Sequence, residues 1–395
     1  MEYEITNTYR NWINKLFYFF FIITLLFPVI VINKLVFLSI IALMAFNYKL
    51  YNFKTTAPFV LFIIFLFGYI HSFFYYSDRA VSLQLFLSTL VLFLVFPLNK
   101  YKVDLDKIIR KCGIIMVIYT WLSYFIVAGG FPISDVYYDF FFYYSTGSFS
   151  MRDFVEEGVI TFQMGTLPFL YLPLVLCYIS FLDKKKKYGN LLLVILFFMT
   201  LWLGGSRSSI MTTIFTLILI SFIKFSFKNK IRFLMITIPL VMIVVIYLIE
   251  NTTVFSAGEE SNSVKIGHVN SFIKQLNIFN FLLGEGLASY YYSEGSGKLK
   301  AYTEISPLDM LRYLGFVLTP IVYMLLFFPL KRLKAYTGEN FLFFVIFLMY
   351  VINSTTNPTF FNSYGFLVVL WYWSKIMNYK EEENVGINRV NPIKV

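Results

Sequence analysis

The chain has 395 residues, of which 58% are hydrophobic, 21% aromatic and only 14% charged, and its formal net charge is +11. Apolar runs recur along the whole length, which excludes a soluble globular domain, because such a domain needs polar side chains to cover its outside. The expectation is one integral membrane domain over residues 1–395, all-α and polytopic, since helices and not an open sheet satisfy the backbone in lipid.

Runs long enough to cross about 30 Å of hydrocarbon as helices number about twelve. In chain order their limits are 14–32, 35–48, 56–75, 80–98, 112–130, 162–182, 189–205, 208–223, 233–250, 307–330, 340–356 and 360–377. The first run lacks a small-residue cleavage pattern and is followed by another span, so it reads as a membrane helix and not as a signal peptide. Cys112 and Cys177 lie in apolar segments with no CxxC spacing or histidine nearby, and read as buried thiols.

Lysine and arginine collect in alternate connections, at 10–15, 49–54, 100–111, 184–187, 224–232, 331–334 and 375–394, which together hold 24 of the 33 basic residues. That side is the expected cytoplasm, and an even number of spans leaves both termini there. The net charge is therefore mostly topology, with no soluble basic surface for a nucleic acid. "DKKKK" at Asp183 to Lys187 belongs to this inside charge and suits anionic membrane lipid.

The other side keeps nine basic residues: Lys34, Arg79, Arg152, Arg207, Lys265, Lys274, Lys298, Lys300 and Arg312. Two of its connections are long, 131–161 and 251–306, and loops of that length are usually functional. In the second, Val264, Ile266, Phe272, Ile273, Leu276 and Ile278 have helical spacing. Together they are expected to form an apolar stripe facing the membrane helices, under a lid over the site. No internal repeat is evident, which argues against a transporter built from duplicated bundles.

Arg207 sits in "LGGSRSSIM" at the start of the eighth span, against the positive-inside bias. Gly204 and Gly205 permit a sharp turn, and Ser206, Ser208 and Ser209 can cap the helix that follows. Its N-terminal amides and the guanidinium then suit an anion; the alternative is an arginine snorkelling to the interface. Arg152, in "SFSMRDFVEEGVITFQMG", is the one basic residue of the first long loop, and either reads an anion or pairs with Asp153 or Glu156. The second loop supplies Lys265 and His268 in "SVKIGHVN", then "FLLGEGLASYYYSEG", then Glu304 and Arg312 in "YTEISPLDMLRYLGF". Ionisable residues at a membrane edge are functional candidates by default, and arginines facing one vestibule would suit a diphosphate. Glu304 is either a general base beside them or the partner of Arg312, and His268 either a second candidate base or a surface histidine. Glu285 reads as a turn residue, and Tyr290 to Tyr292 as an interfacial belt or a sugar-stacking platform.

These stretches resemble the family of O-antigen ligases and Wzy-type O-antigen or capsule repeat-unit polymerases. "LGGSRSSIM" is similar to the family's "TGSRGALL"-like turn, "NFLLGEGLASYY" to its "NPLFGVGxGNF"-like segment, and "TEISPLDMLRYLG" to its "HNxxLxxLxxxG". The topology, with the largest outer loop between the arginine turn and the last helices, is similar too.

The resemblance implies a GT-C-like membrane glycosyltransferase of the bacterial cytoplasmic (inner) membrane, with no cofactor. Its substrates would be undecaprenyl-diphosphate-linked glycans, handled at the outer (periplasmic) face. A flippase and a chain-length regulator are the implied partners. Arg207, Arg152, Arg312 and Lys265 would hold the lipid diphosphate, with Gly165 following Arg152 as in the family, and Glu304 or His268 would act as base. A lysine at 265 stands where many members have arginine and loses the bidentate grip. Glu304 stands where the ligases have histidine, which favours a polymerase over a ligase that transfers finished polymer to lipid A core or protein. A flippase or other transporter is the alternative of another class, although its polar residues would be expected in mid-span. Direct displacement implies inversion at the anomeric carbon, and the lack of an outward Asp-x-Asp motif implies no metal requirement.

Overall fold

The structure is a computed structural model that describes residues 2–28, 32–46, 55–129, 131, 133–140, 149–154, 159–226 and 228–232, scattered positions from 235 to 246, then 260–327 and 339–387. Helices dominate: α1 (Glu2–Leu26), α2 (Ile32–Phe46), α3 (Ala57–His71), α4 (Arg79–Ser88), α5 (Val95–Tyr101), α6 (Leu105–Ala128), α7 (Ser134–Phe140), α8 (Tyr171–Leu182), α9 (Lys187–Leu203) and α10 (Arg207–Lys224). They are followed by α11 (Glu260–Gln275), α12 (Ile278–Leu283), α13 (Ser306–Leu326), α14 (Glu339–Asn353) and α15 (Ser363–Ile387). Two short antiparallel hairpins complete the described chain, β1 (Phe149–Phe154) with β2 (Val159–Met164), and β3 (Tyr291–Ser293) with β4 (Lys298–Lys300).

Among the described residues, five helical stretches are long and apolar enough to cross a membrane: Ala57–Phe74, Arg79–Tyr101, Leu105–Ala128, Arg207–Lys224 and Ser306–Leu326. Shorter apolar helices cover Ile32–Phe46, Leu167–Leu182, Lys187–Leu203 and Asn340–Asn353. Most of the expected spans thus coincide with apolar helices, but the ninth, 233–250, falls largely outside the described residues. The sixth begins late. Phe162 and Met164 on β2 are buried against α6, where Thr120 donates to the Met164 sulfur at 3.5 Å and Tyr124 meets Phe162 edge-on. Pairing with β1 makes this stretch a strand, and helix starts only after Gly165, with a 3-10 turn at Leu167–Leu170.

The core lies along α15 and α8. From Phe366 to Trp373 every residue of α15 is buried, as expected of a helix that is apolar all round. Its polar atoms find partners at one end of the bundle: Trp371 Nε1 donates to Asp106 at 2.9 Å, Lys375 to Asp106 at 2.6 Å, and Trp373 Nε1 to the Leu326 carbonyl at 2.9 Å. At that same end Arg110 donates to the Leu176 carbonyl and Ser180, and Lys224 pairs with Asp183 at 2.5 Å. In mid-bundle the Tyr171 hydroxyl donates to the Ile346 carbonyl at 2.9 Å and meets Thr216 at 3.0 Å, joining α8, α10 and α14.

The opposite end holds the motif segments, and its central feature is a break in α13. Gly315 has φ +71 and ψ 177, so the ladder stops there and restarts. The freed carbonyls of Arg312 and Tyr313 accept instead from the amides of Glu285 (2.8 Å) and Gly286 (3.0 Å), and Leu287 N continues the run to the Gly68 carbonyl on α3 (2.9 Å). A non-helical stretch among apolar helices is tolerated only where such partners exist. The glycines follow from the close approach: a Cβ on Gly315 would lie 2.3 Å from the Leu282 oxygen, and one on Gly286 2.3 Å from Ser72 N.

The second loop corrects one expectation. In α11 the buried face is Gly267, His268 and Ser271, packed on the β3–β4 hairpin, whereas Ile266, Ile273, Leu276 and Ile278 of the expected inward stripe are exposed. Small and polar residues won because Gly267 meets the backbone of Gly295 directly, leaving no room for a branched side chain.

Gly315→Ala is expected to lower stability by about 2–5 kcal/mol, from a glycine-only backbone region and a clash with backbone. Gly297→Ala, at φ +64 with open space for at least 4 Å around the added methyl, is the control and should cost only about 1 kcal/mol. Thermal unfolding of both variants in detergent checks the difference.

Candidate functional site at the motif end of the bundle

Arg207 is the first residue of α10 and is half-buried. Gly205, at φ +64, reverses the chain, and the Ser206 hydroxyl caps the helix by accepting from Ser209 N at 3.4 Å. The turn is clamped from outside by the connection between α14 and α15. Asn357 Nδ2 donates to the hydroxyls of Ser206 (3.2 Å) and Ser208, and to Asn353 Oδ1 (3.2 Å), while Asn353 Nδ2 donates to Ser209 (3.2 Å). The same connection grips the start of α13: Ser306 N donates to the Ser354 carbonyl at 3.2 Å and Ser306 Oγ to the Asn357 carbonyl at 3.4 Å. Asn353 and Asn357 therefore join the arginine turn to the "TEISPLDMLRYLG" segment. By length, 353–358 is a plain tight connection between two spans. Its signal was "NSTTNP", more hydrogen-bonding side chains than a short turn between two spans requires.

A second cluster surrounds the β3–β4 hairpin and brings together Lys265, His268, Glu304 and Arg312. Arg312 is only 5% exposed. Its guanidinium donates to the carbonyls of Ser289 and Ala301 (2.7 Å) and to Asp309 (3.3 Å), and lies 4.3 Å from the Tyr291 ring centre and 4.8 Å from that of Tyr313. Asp309 is equally buried, and Thr303 N donates to both its oxygens at 2.9 Å. The partner of Arg312 is thus Asp309 and not Glu304, because one helical turn separates them while Glu304 lies ahead of the helix. Glu304 instead pairs with Lys265 at 3.8 Å and keeps 49% of its side chain exposed.

His268 is buried, with Nδ1 at 2.5 Å from the Tyr291 hydroxyl and 2.8 Å from that of Ser293. Burial pushes its pKa below the ordinary imidazole value, Lys300 and Arg312 act the same way, and Glu304 opposes them. Tyr291 is pushed up to about 12, chiefly by burial, so its hydroxyl stays protonated beside Nδ1. Glu285, expected only to turn the chain, accepts from Asn280 Nδ2 at 2.5 Å and lines a small cleft with Asn280, Gln275, Tyr291 and Arg312. Burial raises its pKa, against the lowering effects of Arg312 and its hydrogen bonds. Nothing in sequence spacing marked it apart from a carboxylate set among glycines. Tyr290 stacks on Tyr76 at 4.8 Å and its hydroxyl donates to Asp78 at 3.3 Å, so it packs on the α3–α4 connection. Arg152 lies on β1 opposite Thr161, and its side chain is outside the described residues.

A curated relative carries the same segments' family name. Over 241 residues, 59% of this chain, the sequence is 28% identical to an O-antigen polymerase of Shigella flexneri. The chain is similar to an O-antigen polymerase. The match spans 54% of that protein's length. No protein-family model matches the chain. The expected resemblance to Wzy-type polymerases is thereby supported by a long sequence match as well as by short motifs.

Because His268 is neutral in the fold and its pKa is lowered there, its packing contributes stability that is complete above about pH 6.5 and is lost as pH falls toward the folded value. Hydrogen exchange of the α11 amides, corrected for intrinsic rate, should show easier opening at about pH 5.5 than at about pH 7.5. In His268→Gln that pH dependence should disappear.

Proposed function

We propose that the chain is a membrane glycosyltransferase that polymerises undecaprenyl-diphosphate-linked oligosaccharide repeat units at the outer face of the cytoplasmic membrane. The carrying observation is the interlocking of the three motif segments at one end of the bundle: the arginine turn is bonded through Asn353 and Asn357 to the start of α13, and the break in α13 is bonded to "LGEG". Support for the side comes from the sorting of lysine and arginine, which puts the motif end away from the basic clusters. Similarity to an O-antigen polymerase supports the reaction class.

In this reading a hydroxyl on the non-reducing sugar of one lipid-linked unit attacks the anomeric carbon of the growing glycan. The new C–O bond forms as the bond to the diphosphate breaks, and the lipid diphosphate leaves with the electron pair. Arg207, with the N-terminal amides of α10, stabilises the charge that develops on the leaving group. Arg152, the basic residue of the first long loop, is assigned the same role. Arg312 acts as a structural pin, since its guanidinium is buried on Asp309 and two carbonyls. The proton of the attacking hydroxyl goes to Glu304 in preference to His268. Glu304 is half-exposed and held by Lys265, whereas His268 is buried with Nδ1 between the hydroxyls of Tyr291 and Ser293. Attack from the face opposite the leaving group inverts the anomeric centre.

Purified full-length protein in detergent, given a lipid-diphosphate-linked repeat unit with and without chelator, should produce a ladder of products. Arg207→Ala is expected to slow the ladder by about 10²–10³-fold, with Arg207→Lys in between, and Glu304→Gln by a similar factor. A wild-type protein that instead glycosylates added lipid A core or protein is a ligase. One that only moves the lipid across a vesicle membrane is a transporter.

A further inference from the structure

The cap segment α11–α12 has three sides and not two. One packs on the protein through Gly267, His268 and Ser271. The rest of α11 divides by chemistry: Ile266, Val269 and Ile273, continued by Leu276, run along one flank at helical spacing, and Ser263, Asn270 and Lys274 along the other, all seven exposed. The short helix α12 has no buried residue at all, and Ile278, Phe279, Leu282 and Leu283 are exposed, with Phe279 73% so. An apolar row of this extent on a loop marks a contact surface.

We infer that this flank of α11 and the outer side of α12 are seated in the lipid bilayer, at the boundary of headgroups and acyl chains, with the Asn270–Lys274 flank in water. Two observations choose lipid over a protein partner. The row is continuous with the exposed face of the apolar α13, where Phe316 and Val317 are exposed and Phe316 stacks on Phe281 of α12 at 5.1 Å. And from Asn262 to Leu283 the segment carries no acidic residue, while its lysines at 265 and 274 pair with Glu304 at 3.8 Å and Glu294 at 2.7 Å, so no unpaired carboxylate is brought to a surface bearing phosphate headgroups. A helix whose exposed arc is half apolar and half polar lies in the interface plane. The cleft beside Glu285 and Arg312, lined by Leu276 and Asn280, then opens at the membrane surface.

The test is spin-label accessibility in the full chain, reconstituted in phosphatidylethanolamine–phosphatidylglycerol vesicles. Cysteines replace Ile273 and Phe279 on the apolar side and Ser263 and Asn270 on the polar side, all at exposed positions. Cys112 and Cys177 are buried, and the native chain measures their background labelling. Labels at 273 and 279 should collide more with dissolved oxygen than with an aqueous nickel chelate, and the order should reverse at 263 and 270. If the chelate reaches 273 and 279 as readily as 270, the flank is in water and the inference is overturned. It is equally overturned if both reagents are excluded there and labels broaden one another, because a second copy then covers the row. The readout does not involve glycan transfer, so it stands or falls apart from the proposed activity.

Discussion

The interruption of α13 at Gly315 is the constraint on which the motif end depends. Two carbonyls, of Arg312 and Tyr313, are released from the helix ladder beside apolar neighbours, where an unpaired carbonyl is costly. The amides of Glu285 and Gly286 fill the gap, and they can do so only if two backbones touch. Hence the glycines at 284, 286 and 315, each at positive φ and each facing backbone where a Cβ would be. Once that contact is made, the place of the cap is set: α11 and α12 enter it from one side, and the β3–β4 hairpin leaves it on the other.

Charge follows from the same geometry. The turn of α13 ahead of Gly315 carries Arg312 inward, where a lone guanidinium would be expensive to bury. Asp309 on the preceding turn, two carbonyls and two tyrosine faces surround it. Asp309 in turn holds Thr303 N, which fixes the stretch leading to Glu304. The ion pair is therefore a device that orients the segment between hairpin and helix, and Glu304 inherits its position from it.

Much of the helical frame was legible in the sequence, because a run of apolar residues bounded by lysines has few alternatives in lipid. The start of the sixth span was not, since Val159 to Met164 is apolar enough for either a helix or a strand and only the pairing with β1 decides. The orientation of α11 was misread for a related reason: an apolar stripe was assigned to the protein side, but in a membrane protein the apolar side is free to face lipid. Arg207, Lys265, His268, Glu304 and Arg312 were all marked by their unfavourable placement at a membrane edge. Asp309, one helical turn ahead of Arg312, was open to spacing, whereas Tyr291 reaches Arg312 and His268, and Asn357 the serines on either side of Arg207, only through the fold.

The partners sort these residues by what they can still do. Arg312 and His268 are enclosed by carbonyls, hydroxyls and rings of the protein itself. Glu304 meets one lysine at 3.8 Å with half its surface open, and Arg207 stands at a helix start whose serines are held by asparagines from another element. The first pair can be replaced only at the expense of the cap's position. The second pair is presented on a scaffold that other residues hold, which is the arrangement expected of groups that act on something outside the protein. The two belong to separate segments, joined by way of Ser306 and Asn357, so any change in how α13 seats on the α14–α15 connection alters their spacing without touching either side chain.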